Sequence, residues 1–200
     1  MILVNMERCS IKPTTIKWFA QMVLLVWVLS SMAALADEEP EFVVRSAGTV
    51  LVDKVYQLNA RIHYRFSDEG LNALDNGVPL VVELDIEIDR KRDYVWNESV
   101  ASLHQRYQMS YEALTQRYVV TNLNSGADNY YGSRAAAIAA LGDVVNLPIL
   151  DAGLLSPEEQ YMVSLQASLA LDALPVPMRV VGYFSSSWRI ASEWVSWPLQ

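Results

Sequence analysis

Four stretches of the chain alternate apolar and polar residues with a period of two, the mark of strands that bury one face. In 57–66, Leu58, Ala60, Ile62, Tyr64 and Phe66 share one side, and Gln57, Asn59, Arg61, His63 and Arg65 the other. Residues 82–89 alternate without a fault, Val82, Leu84, Ile86 and Ile88 against Glu83, Asp85, Glu87 and Asp89. In 100–109, Ala101, Leu103, Tyr107 and Met109 read as inward, and Ser102, His104, Arg106 and Gln108 as outward. The fourth stretch, 161–171, puts Tyr161, Val163, Leu165, Ala167, Leu169 and Leu171 on one side. Weaker strands are expected over 42–52, 117–123 and 188–197. The pattern predicts a mainly β, single-domain antiparallel β-sandwich-like fold with one or two short helices, preceded by an N-terminal signal helix.

The helices announce themselves by their caps. Ser67 can cap a helix running through Ala73, with Asp68 and Glu69 well placed in its first turn and Asp75-Asn76-Gly77 as its stop. Ser133 caps the alanine-rich stretch 134–141, and Gly142 is expected to end it. Pro175 and Pro177 are expected to break any regular element that begins at Asp172, and 122–128 reads as a polar hairpin loop turning at Gly126. The outward charges suggest a strand order. With 82–89 between 57–66 and 100–109, its acidic row would lie between Arg61, His63 and Arg65 on one side and His104 and Arg106 on the other. Each opposite-charge pair across strands contributes about 0.2–1 kcal/mol.

The first 36 residues carry a different pattern. Arg8, Lys12 and Lys17 form a basic head, an apolar run extends from Trp18 to Leu29, and Ala34-Leu35-Ala36 precedes the acidic Asp37-Glu38-Glu39. This layout is that of a signal peptide cut after Ala36, which places the remainder in the periplasm or otherwise outside the cytoplasmic membrane. The alternative is an uncut inner-membrane anchor over 18–36. Residues 37–41 read as an acidic leader and 42–198 as the domain. Beyond Ala36 stand 12 Lys and Arg against 22 Asp and Glu, a balance that argues against nucleic acid and against electrostatic docking on anionic lipid. The one cysteine, Cys9, lies in the basic head, so the exported part has neither a disulfide framework nor a thiolate nucleophile.

Several phrases stand in a recognisable order: Ala73-Leu74-Asp75-Asn76-Gly77-Val78-Pro79-Leu80, Arg106-Tyr107, Tyr111-Glu112-Ala113-Leu114-Thr115, Tyr118-Val119-Val120-Thr121-Asn122-Leu123-Asn124, Leu174-Pro175-Val176-Pro177-Met178-Arg179, then Trp188-Arg189, Ser192, Trp194, Trp197 and Pro198. Together they resemble the bacterial exported proteins grouped as domain of unknown function 4390 (DUF4390), over about residues 42–198. The resemblance implies a periplasmic protein of proteobacteria without an assigned activity, ligand or catalytic residue, from a family whose genes often lie beside that of a membrane sensor histidine kinase. Where many relatives carry a histidine, this chain has Glu112, so the resemblance implies no required imidazole there.

Candidate chemistry is sparse. The acidic row offers oxygens for calcium, but carboxylates two residues apart on a strand stand about 6–7 Å from one another, too far to share an ion closely. His63 and His104 could flank Asp85 or Glu87 as a zinc or general-base site; a salt-bridged sheet face is the plainer account. Ser185-Ser186-Ser187 reads as a polar turn, and Asn97-Glu98-Ser99 as an accidental glycosylation sequon. No cofactor is implied. The candidate interaction surface combines the basic loop at Arg92, Tyr94 and Trp96 with the C-terminal Trp188, Trp194 and Trp197, which serve either a partner or the core.

The resulting expectation is a non-catalytic interaction or sensing module, whose partner is the extracytoplasmic part of a membrane signalling protein. One alternative is a binder of a small apolar ligand between the sheets. The other is a hydrolase or metal-dependent enzyme built on the two histidines.

Overall fold

The computed structural model describes residues 39–92 and 97–199; the expected signal segment 1–36, the start of the acidic leader, and Tyr94 and Trp96 lie outside them. Among the described residues nine strands form two antiparallel sheets. The first sheet has the order β1-β2-β7, from Glu41–Val52 (β1), Val55–Arg65 (β2) and Asp143–Asp151 (β7). The second has the order β6-β5-β4-β3-β8-β9, from Leu80–Arg90 (β3), Glu98–Glu112 (β4), Arg117–Asn122 (β5), Ala127–Tyr131 (β6), Tyr161–Leu169 (β8) and Val195–Pro198 (β9).

Alternation drives the layers together. Val82, Leu84, Ile86 and Ile88 of β3 are fully buried, and so are Val163, Leu165 and Ala167 of β8 beside them. Across the interior lie Leu58, Ala60, Ile62 and Tyr64 of β2. Phe42 sits edge-on to Tyr64 and Phe66, with ring centroids 4.8 and 5.2 Å away. Each such aromatic pair contributes about 0.5–1.5 kcal/mol beyond its buried area. The Tyr64 phenol oxygen has no hydrogen-bond partner, and burial pushes its pKa well above the ordinary tyrosine range.

Among the described residues three short helices occur: Asp68–Asp75 (α1) and Arg134–Gly142 (α2) join the layers, and Val176–Phe184 (α3) lies between β8 and β9 of the second sheet. Ser67 caps α1 by accepting from the Gly70 N–H at 3.1 Å, and Ser133 caps α2 by accepting from the Ala136 N–H at 3.2 Å. Gly77 follows α1 with φ +87°, the left-handed conformation expected of a stop. Gly142 plays a different part from the one expected. It belongs to α2 and runs directly into β7, and a Cβ there would stand 2.2 Å from the Ile62 carbonyl oxygen. Close approach to β2, not a left-handed cap, demands the glycine.

Several sequence expectations are corrected. β2 does not flank the acidic strand: it joins the other sheet, and β3 lies between β4 and β8. Period two fixes which face is buried, and a sandwich satisfies it by placing β2 across the core. The 188–197 stretch is not one strand. Trp188 lies in a turn, Ala191 makes a single bridge to Ser168, and only β9 pairs regularly with β8. Pro175 parts the 3-10 turn Leu171–Ala173 from α3, a helix that was not expected and that begins at Val176 with Pro177 in its first turn; prolines are tolerated there because the N–H groups of a first turn have no intrahelical acceptor. β7 was not expected; its pairing with β2 shifts register twice, and Asn146 has φ +54°. β8 stops at Leu169, Leu171 opening a 3-10 turn, and β6 begins inside the expected 122–128 loop.

Candidate functional site

The outward face of the six-stranded sheet carries the acidic row at its centre. On the β4 side, Arg106 Nη2 lies 2.7 Å from Glu83 Oε2, and His104 Nδ1 lies 2.5 Å from Asp85 Oδ1 and 3.5 Å from Glu83 Oε1. Arg106 also donates to Asp172 at 3.0 Å, and that bond, joined by the Glu83 pair, holds its pKa above the ordinary arginine value. On the β8 side the row meets Ser168, Gln166, Ser164 and Met162, none of them charged. His63 is not part of this cluster: it stands exposed on β2, opposite Val43 in the other sheet.

The donor atoms of Glu83, Asp85 and His104 converge within 4.8 Å of one another. This is closer than the 6–7 Å expected of strand neighbours, because both carboxylates lean toward one imidazole. A mixed nitrogen and oxygen set of this kind can hold a borderline divalent cation. In the conformation seen, the set is already satisfied internally, His104 by Asp85 and Glu83 by Arg106. Ser102 Oγ lies 3.4 Å from His104 Nε2, giving the order hydroxyl, imidazole, carboxylate. The trio lies on an open sheet face with the His104 side chain 60% exposed, without the water-excluded surroundings that make such groups effective.

The interaction candidates separate. Trp188 is 4% exposed and belongs to the core. Trp197 is half-buried against it, and its indole N–H points to Thr49 Oγ1 at 3.4 Å. Trp194 is exposed. Arg92 pairs with Glu98, which also takes Arg90, while Arg90 Nη1 bonds both Glu159 oxygens at 2.8 Å. That last bond holds the Glu159 carboxyl below its usual range.

Two apolar surfaces escaped the sequence reading. The first is the tip of the β1–β2 hairpin, where Val50, Leu51 and Val52 are 41–50% exposed. Its turn residues Asp53 and Lys54 both have positive φ. The Ala152 N–H donates to the Lys54 carbonyl at 2.8 Å, which brings the 71% exposed Leu154 to the same end. The Lys91 N–H bond to the Gln160 carbonyl sets the Arg92 loop beside the start of β8. The second surface is α3, whose Val176, Val180, Tyr183 and Phe184 are 53–87% exposed at i, i+4, i+7 and i+8 spacing. That period was legible in principle, but the two prolines masked it.

Among the described residues, a concavity of about 220 Å³ lined by Asn59, Arg61 and Asp143 and another of about 330 Å³ lined by Glu112, Thr115, Arg117 and Tyr130 open at the surface. Among the described residues no helix is long and apolar enough to cross a membrane. The family model described as a domain of unknown function, DUF4390, matches residues 39–198. The chain belongs to this family. The DUF4390 match runs from the residues before β1 through the last residue of β9, so both sheets, all three helices and both apolar surfaces lie inside it. No curated protein and no solved structure matches the chain significantly.

Proposed function

We propose that this DUF4390 domain is an exported, non-catalytic docking module that serves the extracytoplasmic part of a membrane sensor kinase. The observation that carries this reading is the uncovered apolar end formed by Val50, Leu51, Val52 and Leu154, beside the Arg90, Arg92, Glu98 and Glu159 ion network. An apolar centre with a charged rim is the usual anatomy of a protein interface. The turn at its tip supports the same reading: Lys54 at φ +68° is a conformation that costs a residue with a Cβ about 1 kcal/mol, and such strain gathers at functional loops. The extracytoplasmic partner follows from the expected signal segment and from the kinase that the family resemblance implies.

The test titrates the protein against the purified extracytoplasmic domain of a membrane sensor histidine kinase whose gene neighbours its own, by calorimetry or fluorescence anisotropy. Wild type binds, and the double variant Leu51→Asp/Leu154→Asp, at two exposed positions that leave the core intact, binds at least tenfold more weakly. Equal binding by both proteins, or no binding by wild type, sinks the proposal.

A further inference from the structure

We propose that Glu83, Asp85 and His104 bind a zinc ion on the outward face of the six-stranded sheet. Asp85 and His104 stand directly opposite one another on β3 and β4, and Glu83 lies two residues back along β3 on the same face. The three donors, His104 Nδ1 and one oxygen of each carboxylate, lie within 4.8 Å of one another. Zinc bonds nitrogen and oxygen at about 2.0–2.1 Å in a tetrahedron, which sets its donors about 3.3 Å apart. His104 Nδ1 already stands 3.5 Å from Glu83 Oε1. Its 2.5 Å contact with Asp85 Oδ1 has to open by about 0.8 Å to reach the same spacing. A small turn of one surface aspartate supplies that.

The groups behind these donors are those a metal site requires. A ligating imidazole donates its other ring N–H to a partner that fixes its orientation, and ligating carboxylates are held by further hydrogen bonds. Ser102 Oγ lies 3.4 Å from His104 Nε2. Glu83 divides its oxygens: Oε2 takes Arg106 Nη2 at 2.7 Å, while Oε1 faces His104. Arg106 is itself fixed by Asp172 at 3.0 Å. Zinc at Oε1 therefore leaves the Arg106 pair in place. The ion replaces only the proton between Nδ1 and Asp85, and Ser102 accepts the N–H that the ring keeps at Nε2. On β8, Gln166 stands opposite Asp85 and spends an amide N–H on the Ser192 carbonyl at 2.9 Å. Its carbonyl oxygen is what it has left for the ion, or for a water in the fourth position.

Charge draws a cation to this face, and the imidazole selects which one. The row Glu83, Asp85, Glu87 and Asp89 meets a single guanidinium on β4, Arg106, and no charge on β8. Among the described residues Glu87 and Asp89 have no ion pair, so the row keeps an excess of negative charge that concentrates cations. A hard ion such as calcium takes roughly six to eight oxygens, whereas a nitrogen between two carboxylates suits a borderline ion. The site is separate from the docking end. Asp85 lies five residues from Arg90, about 17 Å along β3.

The experiment titrates zinc chloride into the metal-free full chain by calorimetry, in a buffer that does not coordinate zinc. The chain carries Cys9→Ser, which removes its one thiol. One zinc binds per chain, and His104→Gln and Asp85→Asn each weaken it about tenfold or more. His63→Gln, which alters the other imidazole, on the other sheet, leaves binding unchanged. Calcium in large excess does not displace the ion. A second measurement needs no variant: in nitrogen-15 spectra of the histidine rings, zinc shifts His104 Nδ1 and leaves Nε2 protonated. Wild type that binds no zinc overturns the proposal, and so does equal binding by His104→Gln. Displacement of zinc by equimolar calcium also overturns it, since the acidic row alone would then be the site. None of these outcomes bears on kinase binding at Leu51 and Leu154, so the two proposals fail separately.

Discussion

Tyr64 shows how much one atom can matter in a small sandwich. Its ring is an asset, wedged between Phe42 and Phe66, but its hydroxyl is buried without a partner. An unsatisfied buried hydroxyl costs about 1–3 kcal/mol. Tyr64→Phe keeps the ring packing and removes the orphan, so it is expected to stabilise the domain by about 1 kcal/mol, read as a higher urea midpoint at an unchanged slope. A lower midpoint would mean that the hydroxyl is bonded in solution. The sequence revealed that Tyr64 faces inward, because its neighbours alternate cleanly. It did not reveal that the hydroxyl goes unmet, which depends on chain that folds over it from far away. Trp188 and Trp194 illustrate the same limit at the candidate surface: six residues apart in a common aromatic run, one is core and the other exposed.

Elements were legible where one period dominated and opaque where backbone exceptions intervened. β3 is unambiguous because acids and aliphatics alternate without interruption, whereas β7 carries Pro148, a left-handed Asn146 and two register shifts, which erase any simple period. Its neighbour β2 was read correctly as a strand and wrongly as the flank of β3. Opposite charges on two strands permit adjacency without requiring it, and the exposed pairs involved are worth too little to dictate topology. The α2–β7 junction is stricter. A methyl group at 142 would collide with the Ile62 carbonyl, a backbone atom that cannot swing aside. Gly142→Ala is therefore expected to cost about 3 kcal/mol, measured as a large fall in melting temperature; a fall within a degree or two would show that α2 can shift away from β2.

At the scale of the whole molecule, its phenols make the fold sensitive to alkali. Burial raises the pKa of Tyr64 and Tyr107, and burial together with the bond to Asp75 raises that of Tyr118. Unfolded tyrosines lose their protons near pH 10, so above that value the native state binds more protons than the unfolded one. The contribution of these phenols is then flat below about pH 10 and declines as pH rises further. Urea midpoints compared at pH 8 and pH 11 test this, and an unchanged midpoint would refute it. The apolar docking end was the least legible part of the candidate site, since it is assembled from segments distant in sequence, Leu51 with Leu154.

The contact between Trp197 and Thr49 reaches across 148 residues, from the last strand to the first, where β1 packs on β8 and β9. Such distant partners make closure slow and late. A polypeptide emerging N-terminus first, from a ribosome or through a narrow pore, cannot fasten this sandwich until its final turn is free. It therefore stays open until β9 is released.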